Sequence, residues 1–236
     1  MSAALAAQRG RGIAYYTDLI QGSDEWLQAR CGLLTASEMK LILTPTLKIA
    51  SNDKERAHMW ELLAQRITGY VEPHYVSDDM LRGQEDEVEA RILYAERYAP
   101  VDEIGFITND EWGFTLGYSP DGLVGADGLI ECKSRRQKFQ IETIANGAMP
   151  DDYLMQVQTG LLVTGRKWLD FISYSGGLPM TTIRVYPNAE IQDAIIAAAT
   201  VFEMKLAEKM EKYRAALKSP ARLIPTERRV EMEITL

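Results

Sequence analysis

The sequence is poor in cysteine and histidine, with two of each among 236 residues. Cys31 and Cys132 form no CxxC unit, which excludes a disulfide framework and a structural zinc site and points to a reducing, cytoplasmic compartment. His58 and His74 are not at metal-ligand spacing from one another, and no role is assigned to either. Long apolar runs are missing too. A stretch such as Ile195 to Val201 is short and flanked by charge, far from the roughly 20 residues a membrane helix needs, so no membrane partner is expected. The opening MSAALAA has no basic residue before it and reads as a frayed end rather than a secretion signal. Repeats, low-complexity tracts and Pro/Gly/Ser linkers are absent, so the expectation is a flexible N terminus over residues 1–12 and one domain over residues 13–236. A basic surplus is lacking as well: 34 acidic against 26 basic residues leave a net charge of −8. That counts against a nucleic-acid-binding protein, although bound divalent metal neutralises acidic charge and local basic groups can still meet phosphates.

What is present is ordinary for a globular chain, with 46% apolar and 25% charged residues and ample length for a core. Helix signals open at Ser23, ahead of Asp24 and Glu25, and run to Arg30. A second helix is expected from Thr35, where Thr35 and Glu38 have capping-box spacing, until Pro45 stops it. Longer helices are predicted over about 52–67, with Gly69 as the stop, and about 77–98, with Pro100 beyond. The period then changes: β-leaning runs at 103–108, 112–118, 122–124 and 129–133 are separated by turn clusters and predict a small antiparallel meander. Helices at about 140–146 and 151–163, strands at 168–175 and 181–186, and a helix from Ala189 to about Leu217 complete the pattern. The sum is an α/β (α+β) fold with a central mixed sheet flanked by helices.

The chemistry concentrates in LIECK, residues 129–133. On a strand, side chains alternate between faces, so Glu131 and Lys133 share one face while Ile130 and Cys132 point the other way into a core. Asp121 sits at a turn whose chain folds back through Gly125 to Gly128 and can return it beside Glu131. Two neighbouring carboxylates repel one another and are compensated by a hard divalent cation such as Mg²⁺, which favours oxygen ligands. The Cys132 main-chain carbonyl is a further candidate ligand. Such a site suits phosphodiester cleavage, with the lysine orienting or deprotonating water and offsetting charge. An isolated ExK is more often a solvated strand pair, and the added Asp121 makes the combination moderately specific.

Pro120-Asp121 and Glu131-Cys132-Lys133 resemble the signature of the PD-(D/E)xK nucleases, with their restriction-endonuclease-like core. The blocks GSDEWLQARCGLLTAS (22–37), GQEDEVEAR (83–91) and SPDGLV (119–124) resemble, in order and spacing, those of the YqaJ-type viral recombinases, the phage lambda exonuclease family. The resemblance implies a Mg²⁺-dependent 5′-to-3′ exonuclease on double-stranded DNA that leaves 3′ single-stranded tails and mononucleotides, with its catalytic core at about 78–175. It implies a two-metal site in which Mn²⁺ can substitute, with Glu87 joining Asp121 and Glu131. It also implies a 5′-phosphate pocket of Arg30, Ser37 and Ser119, a homotrimeric ring on DNA ends, and a single-strand annealing partner. YLMQVQ (153–158) resembles the family's QxQ segment, with Gln158 preferred over Gln156 as the residue facing the catalytic groups. Met80 or Leu81 is a candidate strand wedge, against buried helix packing as the commoner role. Without the family match, Glu87 would read as an ion pair with Arg91. The alternatives are another PD-(D/E)xK nuclease, RecB-like or single-strand-specific, and an inactive DNA-end-binding module.

Overall fold

A computed structural model describes residues 8–10, 12–73, 78–219 and 222–228. Nine strands form two sheets among these residues. The first sheet is built from β1 (Gln8–Gly10), β2 (Ile13–Tyr16), β3 (Leu34–Thr35), β4 (Phe106–Asn109) and β5 (Leu116–Tyr118), in the order β1-β2-β4-β5-β3. The second holds β6 (Gly122–Val124), β7 (Gly128–Ser134), β8 (Trp168–Tyr174) and β9 (Thr181–Val185), in that order. Both are mixed: β3 runs parallel to β5 and β7 parallel to β8, and the other pairings are antiparallel.

The helices are α1 (Asp24–Arg30), α2 (Met39–Ile42), α3 (Asp53–Thr68), α4 (Asp78–Arg97), α5 (Gln137–Asn146), α6 (Leu154–Thr164) and α7 (Ala189–Leu217). Side-chain caps start three of them: Ser23 accepts from the Trp26 N–H, Asn52 from Glu55 and Asn188 from Ile191. Gly69 closes α3 in the left-handed conformation at φ 62°, as its lack of a Cβ allows. The parallel β7–β8 pair needs a crossover, which α5 and α6 supply. None of the helices is long and apolar enough to cross a membrane, among the described residues.

Three features depart from the sequence reading. The expected meander is divided: β4 and β5 belong to the first sheet, while β6 and β7 start the second. The helix expected from Thr35 is a 3₁₀ turn, Ala36–Glu38, followed by the single turn of α2, although the Thr35–Glu38 capping box is in place. Gln8–Gly10, assigned to the flexible terminus, pairs with β2; residues 1–7 and 11 lie outside the described residues. Strands of two to four residues carry too little period-two signal to be legible, and long-range pairing makes them strands.

The larger apolar core draws on both sheets and on α2, α3, α6 and α7, with Leu34, Leu62, Tyr118, Leu129, Phe171 and Phe202 at its centre. A smaller one sits under α4, where Ala90 and Tyr94 meet Ile130, Cys132 and Ile172. β7 is therefore covered on both faces, the condition that favours a nearly continuous apolar strand. Its exceptions, Glu131 and Lys133, lie on the α6 side. The start of β4 and the loop before α1 come close together at Gly105, where an added Cβ would lie 2.1 Å from the Leu19 carbonyl oxygen. Gly105→Ala is expected to lower unfolding free energy by about 2–3 kcal/mol in urea denaturation. Gly83→Ala, in α4 with open space around it, should raise it by about 0.5–1 kcal/mol.

Candidate active site

Asp121 immediately precedes β6, and its backbone N–H donates to the Ile130 carbonyl at 3.2 Å, which docks the turn against β7. Its Oδ2 accepts the Cys132 N–H at 2.5 Å. That N–H therefore points away from β8, and in an extended strand the carbonyl of the same residue points to the same side. The Cys132 carbonyl is thus on the Asp121 side.

Glu131 is 2% exposed, and a carboxylate so placed is costly unless it is well bonded. Tyr118 Oη donates to its Oε2 at 2.6 Å. Its Oε1 receives Gln156 Nε2 and Lys133 Nζ, each at 2.5 Å. Three elements thereby converge on one side chain: β5 through Tyr118, α6 through Gln156 and β7 itself through Lys133.

Glu87 reaches the group from α4. Ser134 Oγ, which donates to Asp86 at 2.5 Å, fastens that helix to the end of β7. Arg91 bonds Glu103 at 3.2 Å and the Asp121 carbonyl at 3.4 Å. Burial pushes the Glu87 and Asp121 carboxyls above their usual range, and Glu131 adds to both shifts while Lys133 opposes them. Burial alone would lower the Lys133 pKa, but Glu131, Asp121 and Glu87 outweigh it and hold the ammonium above the ordinary lysine value. The Glu87 and Asp121 carboxyls are thus biased toward their protonated forms. Among the described residues no three His, Cys, Asp or Glu side chains are arranged ready to hold a metal ion; both Glu131 oxygens and Asp121 Oδ2 are turned onto protein donors.

A second constellation forms around Arg30, whose guanidinium lies over the Trp26 ring at 4.2 Å. It donates to Ser119 Oγ and Thr35 Oγ1, both at 3.3 Å. Trp26 Nε1 donates to Ser119 Oγ at 2.9 Å, and Ser37 Oγ lies 3.3 Å from Thr35 Oγ1. A cleft of about 1080 Å³ is lined by Trp26, Arg30 and Thr35 and also by Glu87, Arg91 and Asp121. The two constellations thus meet this space through Glu87 and Asp121 on one side and Arg30 and Thr35 on the other.

The pattern of the YqaJ-like viral recombinase domain matches residues 25–167. The chain belongs to that family. Among solved structures, LHK-Exo in complex with dAMP is 35% identical with a TM-score of 0.75, covering 83% of this chain and 99% of that one. An alkaline exonuclease, LHK-Exo from Laribacter hongkongensis, is 34% identical with a TM-score of 0.69, covering 83% and 100%. A phage-related exonuclease from Haemophilus somnus 129PT shares the fold at 15% identity and a TM-score of 0.54, covering 75% and 96%. No curated protein matches in sequence.

In this YqaJ-like chain the structure corrects the choice of glutamine. Gln158 is buried away from the carboxylates, donating to the Tyr186 carbonyl and accepting from the Asn188 N–H. Gln156 faces Glu131 instead. Helical spacing separates the two residues by about 200° around the axis, so the sequence shows that they diverge but not which one faces β7. Arg30, Ser37, Ser119, Asp121, Glu131, Lys133 and Glu87 are gathered at the two constellations. Leu81 is 50% exposed on α4, so buried packing does not account for it; the Met80 side chain lies outside the described residues.

Sequence reasoning missed Tyr118, Thr35 and Trp26 as members of these sites. Tyr118 carries no sequence signal, since its role depends on the β4–β5 pairing. Trp26 and Arg30, four residues apart, were legible as a helical pair. Space for the Tyr118 ring is left by Gly160 on α6, where an added Cβ would lie 2.7 Å from the ring. Tyr118→Phe removes one donor to a buried carboxylate and is expected to cost about 1.5–3 kcal/mol in chemical denaturation. Gly160→Ala should cost at least as much, because it displaces the same ring from a packed interior.

Proposed function

We propose that the chain is a divalent-metal-dependent exonuclease that degrades double-stranded DNA from the 5′ end, leaving 3′ single-stranded tails and mononucleotides. The observation that carries this reading is the single cleft joining the Arg30–Thr35–Ser119 pocket to Glu87 and Asp121. An anion site beside a carboxylate cluster fits a substrate whose terminal phosphate is held while a neighbouring phosphodiester is cleaved. Membership of the YqaJ-like family and the exonuclease relatives support the same class.

The donor set fits magnesium: Asp121, Glu131, Glu87 and the Cys132 carbonyl are all oxygen donors, and a divalent cation there would counter the upward shifts of the Glu87 and Asp121 carboxyls. A divalent cation there would supply charge neutralisation and a more acidic water. Lys133 places an ammonium beside the reacting phosphate, where negative charge grows during cleavage. Gln156 and Tyr118 hold Glu131 in one rotamer, as donors behind a metal ligand do. Arg30 and the Thr35, Ser37 and Ser119 hydroxyls would hold the 5′-phosphate, with Trp26 keeping the guanidinium in plane. Leu81 and Met80 would separate the strands ahead of cleavage. A closed homotrimer on DNA, a single-strand annealing partner and a cytoplasmic location complete the proposal, carried by the family resemblance.

Digestion of end-labelled duplexes tests it. With Mg²⁺, 5′-phosphorylated duplex should yield mononucleotides from the 5′ end, and EDTA should stop the reaction; release from the 3′ end or only internal cuts would overturn the assignment. Lys133→Ala should lower kcat by at least about 10²–10³-fold while duplex affinity, read by fluorescence anisotropy, is kept. Arg30→Ala should raise KM about tenfold for 5′-phosphorylated ends and leave 5′-hydroxyl ends unchanged. Equal loss on both ends would remove the phosphate-pocket role.

A further inference from the structure

Residues 133–138 read Lys-Ser-Arg-Arg-Gln-Lys, four basic side chains and no acidic one in a chain of net charge −8. The stretch leaves the catalytic end of β7 and enters the first turn of α5. Its cations are interleaved with aromatic rings. Lys133 Nζ lies 5.9 Å from the centre of the Tyr153 ring, and the Arg135 guanidinium 5.3 Å from that ring and 5.1 Å from Phe139. Lys138 Nζ follows at 4.6 Å from Phe139.

The array is anchored from behind. Tyr153 packs on the buried Phe171 with ring centres 5.2 Å apart, and Arg135 Nη1 donates to Tyr153 Oη at 2.7 Å. The Arg135 backbone N–H donates to the Tyr174 carbonyl at 2.7 Å. Its Nε is buried without a hydrogen-bond partner. At the outer end Phe139 is 38% exposed, and Arg136 and Lys138 face solvent.

We propose that this ladder is a track for single-stranded DNA, carrying the strand that has been unpaired at the catalytic centre. The inference rests on the nuclease reading above. Alternating cations and rings match a polymer that alternates phosphates and bases: the cations meet the backbone and the exposed Phe139 ring stacks on a base without regard to sequence. A duplex hides its base faces and cannot use the rings, so unpaired DNA is the partner that employs both halves of the array. Lys133 belongs to the carboxylate cluster and to the ladder, which makes the track continuous with the place of cleavage. The local cluster also explains how an acidic protein engages a polyanion.

The test is fluorescence anisotropy with labelled oligothymidylate and with blunt duplex, in EDTA and over a salt series. Relative to the unaltered protein, R135Q/K138Q/F139L should bind oligothymidylate about tenfold more weakly. Its salt slope should be shallower by about 0.7 for each charge removed, while duplex affinity stays within twofold. K138Q/F139L, confined to exposed side chains, should show a smaller loss of the same kind and the thermal midpoint of the unaltered protein. Unchanged oligothymidylate affinity, or an equal loss on duplex, would overturn the track. An unaltered protein that neither binds nor degrades DNA would defeat the nuclease reading together with the track, whereas normal duplex degradation with no difference between variants would defeat the track alone.

Discussion

Glu131 is a carboxylate in the middle of a strand that is covered on both faces, and the surrounding architecture answers to the cost of putting it there. An unpaired buried charge is worth several kcal/mol against folding. Tyr118, Gln156 and Lys133 donate to it from three directions, and each donor needs a different element to be in place. The end of β5 must lie beside β7, α6 must cross at the right rotation, and β7 must keep its alternation. Gly160 leaves room for the Tyr118 ring, so even the packing of α6 is set partly by this carboxylate. The same bonds give Glu131 one geometry, which a site for positioned chemistry requires.

The electrostatics of the cleft follow from burial and uneven charge. Glu87 and Asp121 are pushed up by burial and then by Glu131, while Lys133 is drawn to all three acids. Across the same cleft Arg30 sits over Trp26 with Thr35 and Ser119 as its acceptors. One side of the space thus presents carboxyl groups and the other a guanidinium. A metal-assisted cut beside a held terminal phosphate uses both, which is why the cleft carries the functional reading better than either constellation alone. The net charge of −8 says little about such a protein, because the basic groups that matter are concentrated locally.

Much of the helical framework was legible. Caps at Ser23, Asn52 and Asn188 and the stop at Gly69 are local chemistry, acting within one turn of the residues that supply it. The short strands were not: β1 and β3 have three and two residues, and the β4–β7 run reads as one meander although it serves two sheets. The site divides in the same way. Asp121, Glu131 and Lys133 stand out because alternation along one strand and a single turn relate them. Gln156 was passed over for Gln158, because helix geometry says that two such residues diverge and not which one meets β7.

The sequence by itself determined the alternation that puts Glu131 and Lys133 on one face, the turn that returns Asp121, and the family blocks around Arg30 and Glu87. All of these are properties of neighbouring residues or short motifs. Only the tertiary structure decided that Tyr118 and Gln156 satisfy Glu131, that Trp26 and Thr35 frame Arg30, and that Arg30 and Thr35 line one cleft with Glu87 and Asp121. Those relations join elements far apart in the chain, and packing of the two sheets against α4 and α6 sets them; no local rule encodes the distance between a β5 hydroxyl and a β7 carboxylate.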